Sequence, residues 1–297
     1  MDLSVCIVNW NTRDHLARCL KALGAGEQPQ GELAGMEAEV LVVDNASDDG
    51  SAESVRSDFP DVKLIANSAN LYYAAASNQA LAQAAGKFLL LLNPDVELRP
   101  GAMQAMLRVL RERPAAGAVA CKLLLPDGSV QRSCRSFPTP AVLLWEALGL
   151  ARLFPRSRRF GAYRMTYWDY DDLRQVDQPM ASCLLLRKKA LDEVGHLDEA
   201  FPMFFNDVDL CYCLREAGWQ VYFTPEGEAL HDHGASTGQV WPQMVRLSNE
   251  GLRRFYRKHY RGRMTWPAYA LGMALIRLVG AGRVTRARLT QTPYSRM

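Results

Sequence analysis

The chain has 297 residues, a net charge of +3, and 48% apolar and 23% charged residues. This is an ordinary globular composition, long enough for one large α/β domain or two small ones with a sizeable core. The charge is too small to imply a nucleic-acid partner, and no apolar run reaches the length that spans a bilayer.

Taken in order, short apolar runs alternate with helical patterns. Leu3 to Val8 reads as a first strand, followed by an N-cap at Thr12 and a helix with Leu16, Cys19, Leu20 and Leu23 on one face. Glu39 to Val43, Val62 to Ile65 and Phe88 to Leu92 read as strands two to four, with an Ala-rich helix at Ala74 to Ala85 before the last. A helix at Ala102 to Leu110 and a strand at Gly117 to Cys121 follow. Strands that are apolar throughout, alternating with helices, predict a mostly parallel sheet covered on both faces. The stretch from Arg152 to Asp172 has no period and reads as a long loop. A strand at Met180 to Arg187, a helix at Leu210 to Ala217 stopped by Gly218, and a strand at Trp219 to Phe223 complete the pattern.

In such sheets ligands sit beyond the carboxyl ends of the strands. Polar residues cluster there: Asn9-Trp10-Asn11 after the first strand, Asp44 to Gly50 after the second, Asn67 and Asn70 after the third, and Asn93-Pro94-Asp95 after the fourth. Any one of these could be an ordinary turn. Four of them at one sheet edge point to a ligand site.

The blocks Ser4 to Asn11, Leu41 to Ser51 and Leu90 to Asp95, in that order, resemble the inverting family-2 glycosyltransferases of the GT-A fold. The rhamnosyltransferase-like branch, which builds bacterial surface polysaccharides, is the nearest part of that family. The resemblance covers about residues 3 to 260 and implies a nucleotide-sugar donor, with L-rhamnose on dTDP as the candidate. It also implies a divalent metal, Mg²⁺ or Mn²⁺, and a saccharide or lipid-linked saccharide acceptor. Hard cations of this kind take oxygen ligands and neutralise a departing diphosphate.

Carried over residue by residue, the resemblance makes Asp95 the metal ligand, with Asn93 standing where relatives have the first acid of the motif. Asp44 would accept from the base of the nucleotide, and Asn9, Asn11, Asn45, Ser47, Asn70, Tyr72, Asn78 and Asn93 would line the donor pocket. In the second half, Phe204 to Cys211 matches the acidic block that carries the general base, with Asn206 replacing its first acid and Asp207 as the base. The helix field would keep Asp207 anionic, and Asp209 would be structural. His231, with His233 as second choice, would complete the metal site. Relatives commonly have glycines at Tyr72, Ala75 and Ala76, and Tyr72 would remove the positive-φ freedom that glycine provides.

The implied organisation is a GT-A domain over 1–262, with a nucleotide-binding half to about 122 and an acceptor half beyond it. A basic, amphipathic C-terminal extension covers 263–297. No acid follows Glu250, so the extension could meet an anionic membrane, pack on the domain, or form a homodimer. Seven scattered cysteines without a second close pair read as buried thiols in a reducing compartment. With no charged and apolar leader ahead of the first strand, the expected location is cytoplasmic, peripheral to the inner membrane. Two rival functions are a non-catalytic sugar-nucleotide-binding homologue, motivated by the replaced acid and glycines, and a nucleotidyltransferase. The second lacks a Gly-rich basic loop after the first strand.

Overall fold

The computed structural model describes residues 1–25, 31–232 and 241–290. The first half comprises β1 (Leu3–Asn9), α1 (Arg13–Leu23), β2 (Ala38–Asp44), α2 (Ser51–Asp58), β3 (Lys63–Ala66), α3 (Tyr72–Gln83) and β4 (Phe88–Leu92). Next come β5 (Val96–Leu98), α4 (Ala102–Glu112), β6 (Ala116–Leu124), β7 (Val130–Gln131) and β8 (Cys134–Arg135). Two short helices follow, α5 (Pro140–Ala147) and α6 (Leu150–Leu153), then β9 (Arg174–Gln175), β10 (Gln178–Pro179), β11 (Cys183–Arg187), α7 (Lys188–Val194), α8 (Asn206–Glu216) and β12 (Gln220–His231). The chain finishes in α9 (Trp241–Phe255), a π-helical turn (Tyr256–Tyr260) and α10 (Trp266–Thr290).

The main sheet runs β3-β2-β1-β4-β11-β6-β12-β5. β3, β2, β1 and β4 are mutually parallel, as the mostly apolar runs of β1, β2 and β4 predict. Their register sets Asn9 directly opposite Asp44, so the first two polar loops leave the sheet side by side. β11 is inserted antiparallel between β4 and β6. Its first residue, Cys183, pairs with Leu92, the last residue of β4. The residues just before β11 therefore lie at the same sheet edge as the loops that follow β1, β2 and β4.

The two faces bury separate cores by strict alternation. Val5 and Ile7 of β1, Leu90 and Leu92 of β4, and Cys183 and Leu185 of β11 face α1, α2 and α4. Cys6, Leu89 and Leu91, and Leu184 and Leu186, face α3, α7 and α8. α1 lays Leu16, Cys19, Leu20 and Leu23 on the first of these cores and ends at Gly24, whose φ of +87° needs no Cβ.

The segment 152–172, read from sequence as a long loop, is mostly irregular, but it is packed. Trp168 and Tyr170 stack at 4.1 Å and both meet Phe223 edge-on. The Tyr170 hydroxyl accepts from the Cys134 amide at 2.8 Å. Aromatic anchors order this backbone in place of a periodic pattern. Thr12, expected as an N-cap, makes no capping bond and uses its hydroxyl elsewhere. The seven thiols are free, and six are buried.

Candidate active site

Asp44 is the organising group of the loops that follow β1 and β2. It is 2% exposed. One oxygen accepts from Asn9 Nδ2 at 2.9 Å and Ser47 Oγ at 2.7 Å, and the other accepts from the Ser47 amide at 3.0 Å. Thr12 Oγ1 donates to Asn9 Oδ1 at 2.7 Å, which fixes the Asn9 amide with its nitrogen toward Asp44. The Asn11 amide donates to Ser47 Oγ, and Asn11 Oδ1 accepts from the Asp48 amide, both at 2.9 Å. Asp44, Asn9, Asn11 and Ser47 thus form one hydrogen-bonded unit. A carboxylate has about four acceptor positions, and three are used here, so Asp44 keeps one for a ligand.

Asn45 joins this unit to the loop before α3. Its side chain donates to the Tyr72 carbonyl at 3.1 Å and accepts from the Leu71 amide and Asn67 Nδ2, each at 3.1 Å. Asn70 Oδ1 accepts from the Tyr72 amide at 2.8 Å. Tyr72 corrects the sequence reading, for it adopts a φ of +62° despite its side chain. Asn11 and Ala46, on the neighbouring loops, also lie at positive φ, +52° and +61°. Left-handed backbone at non-glycine residues costs on the order of 1–2 kcal/mol each, and it concentrates at functional sites. The bonds to Asn45 and Asn70 hold Tyr72 there, and its ring hydroxyl accepts from Gln243 Nε2 of α9 at 3.0 Å. Asn78 is not part of this cluster. Its side-chain amide donates to the Leu197 carbonyl and Glu199 and accepts from the Leu197 amide, tying α3 to the segment before α8.

At the end of β4, Asn93 donates from its backbone to the Ser182 carbonyl at 2.9 Å and from its side chain to Ser182 Oγ at 3.3 Å. Asp95 is 9% exposed, and its Oδ1 accepts no hydrogen bond. That oxygen lies 3.5 Å from His231 Nε2 at the end of β12. His231 Nδ1 is 2.7 Å from Gln131 Oε1. Since an amide oxygen only accepts, Nδ1 carries a proton there, and Nε2 is the ring nitrogen on the side where Asp95 lies. A buried carboxylate oxygen that accepts no hydrogen bond, beside an imidazole, offers the oxygen and nitrogen atoms that Mg²⁺ or Mn²⁺ takes. These are the residues present that fit a divalent metal. Gln131 had no signal in the sequence, because it lies on a two-residue strand with no period. Asp232 adds an ion pair to His15 of α1 at 3.0 Å. His233 lies outside the described residues.

Asp207 stands in the first turn of α8. Its oxygens accept from the Val208 amide at 2.8 Å and the Ala181 amide at 3.4 Å. Burial raises its carboxyl above the ordinary value and outweighs those amides and the nearby Arg135 cation. The sequence reading expected the helix field to hold this group acidic, but removal from water dominates. Asp209 is a structural anchor, accepting from His259 Nε2 at 2.6 Å and Lys258 Nζ at 2.9 Å. Cys213 lies near this pair. Lys258 pairs with the same carboxylate, so Asp209, His259 and Lys258 form a hydrogen-bonded anchor.

The sequence matches the glycosyl transferase family 2 profile over residues 4–194. The chain belongs to that family. It is 34% identical over 249 residues to the N-acetylglucosaminyl-diphospho-decaprenol L-rhamnosyltransferase of Mycobacterium tuberculosis, covering 80% of this chain and 78% of the relative. It is 31% identical over 207 residues to the O-antigen biosynthesis protein RfbC of Myxococcus xanthus, covering 67% of this chain and 15% of that one. Among solved structures, the mannosyltransferase PcManGT of Pyrobaculum calidifontis, in complex with GDP-Man and Mn²⁺, superposes with a TM-score of 0.58 at 15% identity. The match covers 98% of this chain and 76% of that one. GalNAc-T7 with UDP, GalNAc and Mn²⁺ gives 0.56 at 12% identity, covering 78% of this chain and 44% of the other. The fold is therefore the GT-A type, and the protein is a rhamnosyltransferase-like glycosyltransferase.

One departure of this glycosyltransferase from its family has a structural reason. Asn206, where an acid is usual, is buried and donates its amide to the Phe201 carbonyl at 3.3 Å and the Met203 carbonyl at 3.0 Å. A carboxylate cannot donate to either. Asn206→Asp should therefore destabilise the protein by about 1–3 kcal/mol at neutral pH, the cost of buried groups left unpaired. Chemical denaturation checks this, and unchanged stability would show that the two carbonyls find other donors.

Proposed function

We propose that this glycosyltransferase is inverting and divalent-metal-dependent. It moves a sugar, with L-rhamnose from dTDP-rhamnose as the leading candidate, to a lipid-linked saccharide in bacterial surface polysaccharide synthesis. The observation that carries the reading is the unpaired, buried Asp95 Oδ1 beside His231 Nε2. Asp95 and His231 would hold the cation, with Mg²⁺ and Mn²⁺ both compatible with an oxygen and an imidazole ligand. When bound, the cation would neutralise charge on the departing diphosphate.

The remaining roles belong to the chain's own side chains. Asp44, Asn9, Asn11 and Ser47 fix the two loops that receive the nucleotide, and Asp44 has one acceptor position left for a base N–H. The strained Tyr72 turn, braced by Asn45 and Asn70, presents an aromatic ring beside them. Asp207 takes the proton from the acceptor hydroxyl, and its raised carboxyl value makes it the stronger base. The relative's decaprenol-linked substrate supports the lipid-linked acceptor.

The test is turnover with dTDP-rhamnose and a polyprenyl-diphosphate-linked N-acetylglucosamine acceptor, with Mg²⁺, with Mn²⁺ and with chelator. Product with inverted anomeric configuration that disappears on chelation is expected. Undiminished turnover in chelator would remove the metal role of Asp95, and retained configuration would remove the single-displacement reading. A melting-temperature screen of other nucleotide sugars names the donor if dTDP-rhamnose gives no shift. Gln131→Ala should weaken metal affinity by about 10–100-fold, as loss of an outer hydrogen bond to a ligating histidine typically does. Titration calorimetry reads this, and an unaltered affinity would separate Gln131 from the metal site.

A further inference from the structure

We propose that α6 and α10 form a docking surface for an anionic lipid bilayer. α10 has two apolar faces. Gly272, Ile276 and Gly280 point inward, with Gly272 against the Tyr256 ring and Gly280 against Asn249. Pro267, Leu271, Ala274 and Leu278 fall on the opposite side at a hundred degrees per residue, and all four are exposed. A soluble helix normally turns charged residues to that side.

α10 packs against α5, whose sequence Pro-Ala-Val-Leu-Leu-Trp-Glu-Ala is apolar but for one residue, yet none of its residues is fully buried. The chain leaves α5 through Leu148 and α6 with Leu153 and Phe154 in solvent. Seven of the eleven large hydrophobic side chains exposed among the described residues lie between 148 and 154 or between 266 and 279. Trp266, at the first turn of α10, is 79% exposed, and indole favours the boundary between water and lipid headgroups. No helix among the described residues is long and apolar enough to cross a membrane, so the surface lies on a bilayer and does not span it.

Charge selects the occupant. Between Glu146 and Asp169 the chain has five arginines and no acid, and no acid follows Glu250. Arg152, Arg156, Arg158 and Arg159 are exposed around Leu153 and Phe154, and Arg277 is exposed beside Leu278. A second copy docked symmetrically would bring these like charges together. An anionic headgroup layer meets them with the opposite sign, while the leucines and Phe154 enter the acyl boundary.

The surface is tested by co-sedimentation with vesicles of phosphatidylethanolamine and phosphatidylglycerol, against phosphatidylcholine vesicles. Binding to the anionic vesicles that weakens with salt is expected, with little binding to the neutral ones. Leu271→Ser with Leu278→Ser should weaken it by tenfold or more, on the order of the loss from two apolar side chains. Arg152→Glu, Arg156→Glu and Arg277→Glu together should weaken it by about a hundredfold. Melting temperatures within a few degrees of wild type confirm that the variants fold; if the serine pair fails to fold, the arginine set carries the test. Wild type that ignores anionic vesicles overturns the proposal, as do folded variants that bind like wild type. A dimer in sedimentation equilibrium that the serine pair dissolves, with no vesicle binding, overturns it in favour of a second copy. None of these readouts depends on the donor or on turnover.

Discussion

Asp207→Asn should lower kcat by about 10²–10⁴-fold, the usual contribution of a positioned general base, and leave donor affinity unchanged. An amide keeps the bond from the Val208 amide but cannot take a proton. The same substitution separates catalysis from stability. The folded-state value of the Asp207 carboxyl lies above its unfolded value, because burial disfavours the charged form. Such a group contributes stability that is present below the unfolded value and lost as pH rises through the folded one. At neutral pH the variant escapes that loss, so it should be at least as stable as wild type, with the difference closing as pH falls below the ordinary carboxylate range. The acidic limb of the kcat profile should also sit above that range. A variant with an unchanged rate would move the base elsewhere, and one that unfolds at neutral pH would make Asp207 a structural carboxylate.

The second large effect is at Asp95. Asp95→Asn should abolish the rise in melting temperature that Mn²⁺ gives the wild type, about 2.7 kcal/mol of stabilisation when the metal is a hundred times its Kd. Turnover should fall by about 10²–10³-fold or more, as when a single stabiliser of transition-state charge is removed. Without metal the variant should be at least as stable as wild type, because a buried carboxylate oxygen that accepts no hydrogen bond is replaced by an uncharged amide. This contrast distinguishes a metal ligand from a structural acid, whose loss would lower stability with or without metal. Equal Mn²⁺ shifts in both proteins would remove Asp95 from the metal site.

Much of this was legible in the sequence, for a physical reason. β1, β2 and β4 are buried on both faces, so their apolar runs mark them, and polar residues stand at or just after their ends. The pattern puts Asp44 and Asp95 among the polar residues at strand ends; their roles, and the choice of Asp207 and His231, come from the family resemblance. What stayed hidden were the partners. Gln131 sits on a two-residue strand, and Ser182 precedes β11, so neither carries any periodicity. The positive φ of Tyr72 ran against its side chain's own preference and is held by Asn45 and Asn70 through bonds that depend on tertiary approach. Asn206 read as a lost acid, and only its two carbonyl partners reveal it as a required donor. The segment 152–172 was opaque because isolated aromatic anchors leave no repeating signature.

The antiparallel β11 bears on how the enzyme can move. It is hydrogen-bonded to β4 on one side and to β6 on the other, so the parallel strands of the first half and those of the second half are one continuous ladder. Among the described residues no linker interrupts that ladder. We expect rearrangement on substrate binding in the loops beyond the sheet edge, while the sheet itself acts as a fixed bench holding Asn93 and Ser182 in register. Amide exchange across β4, β11 and β6 should accordingly slow together, as a single cooperative unit.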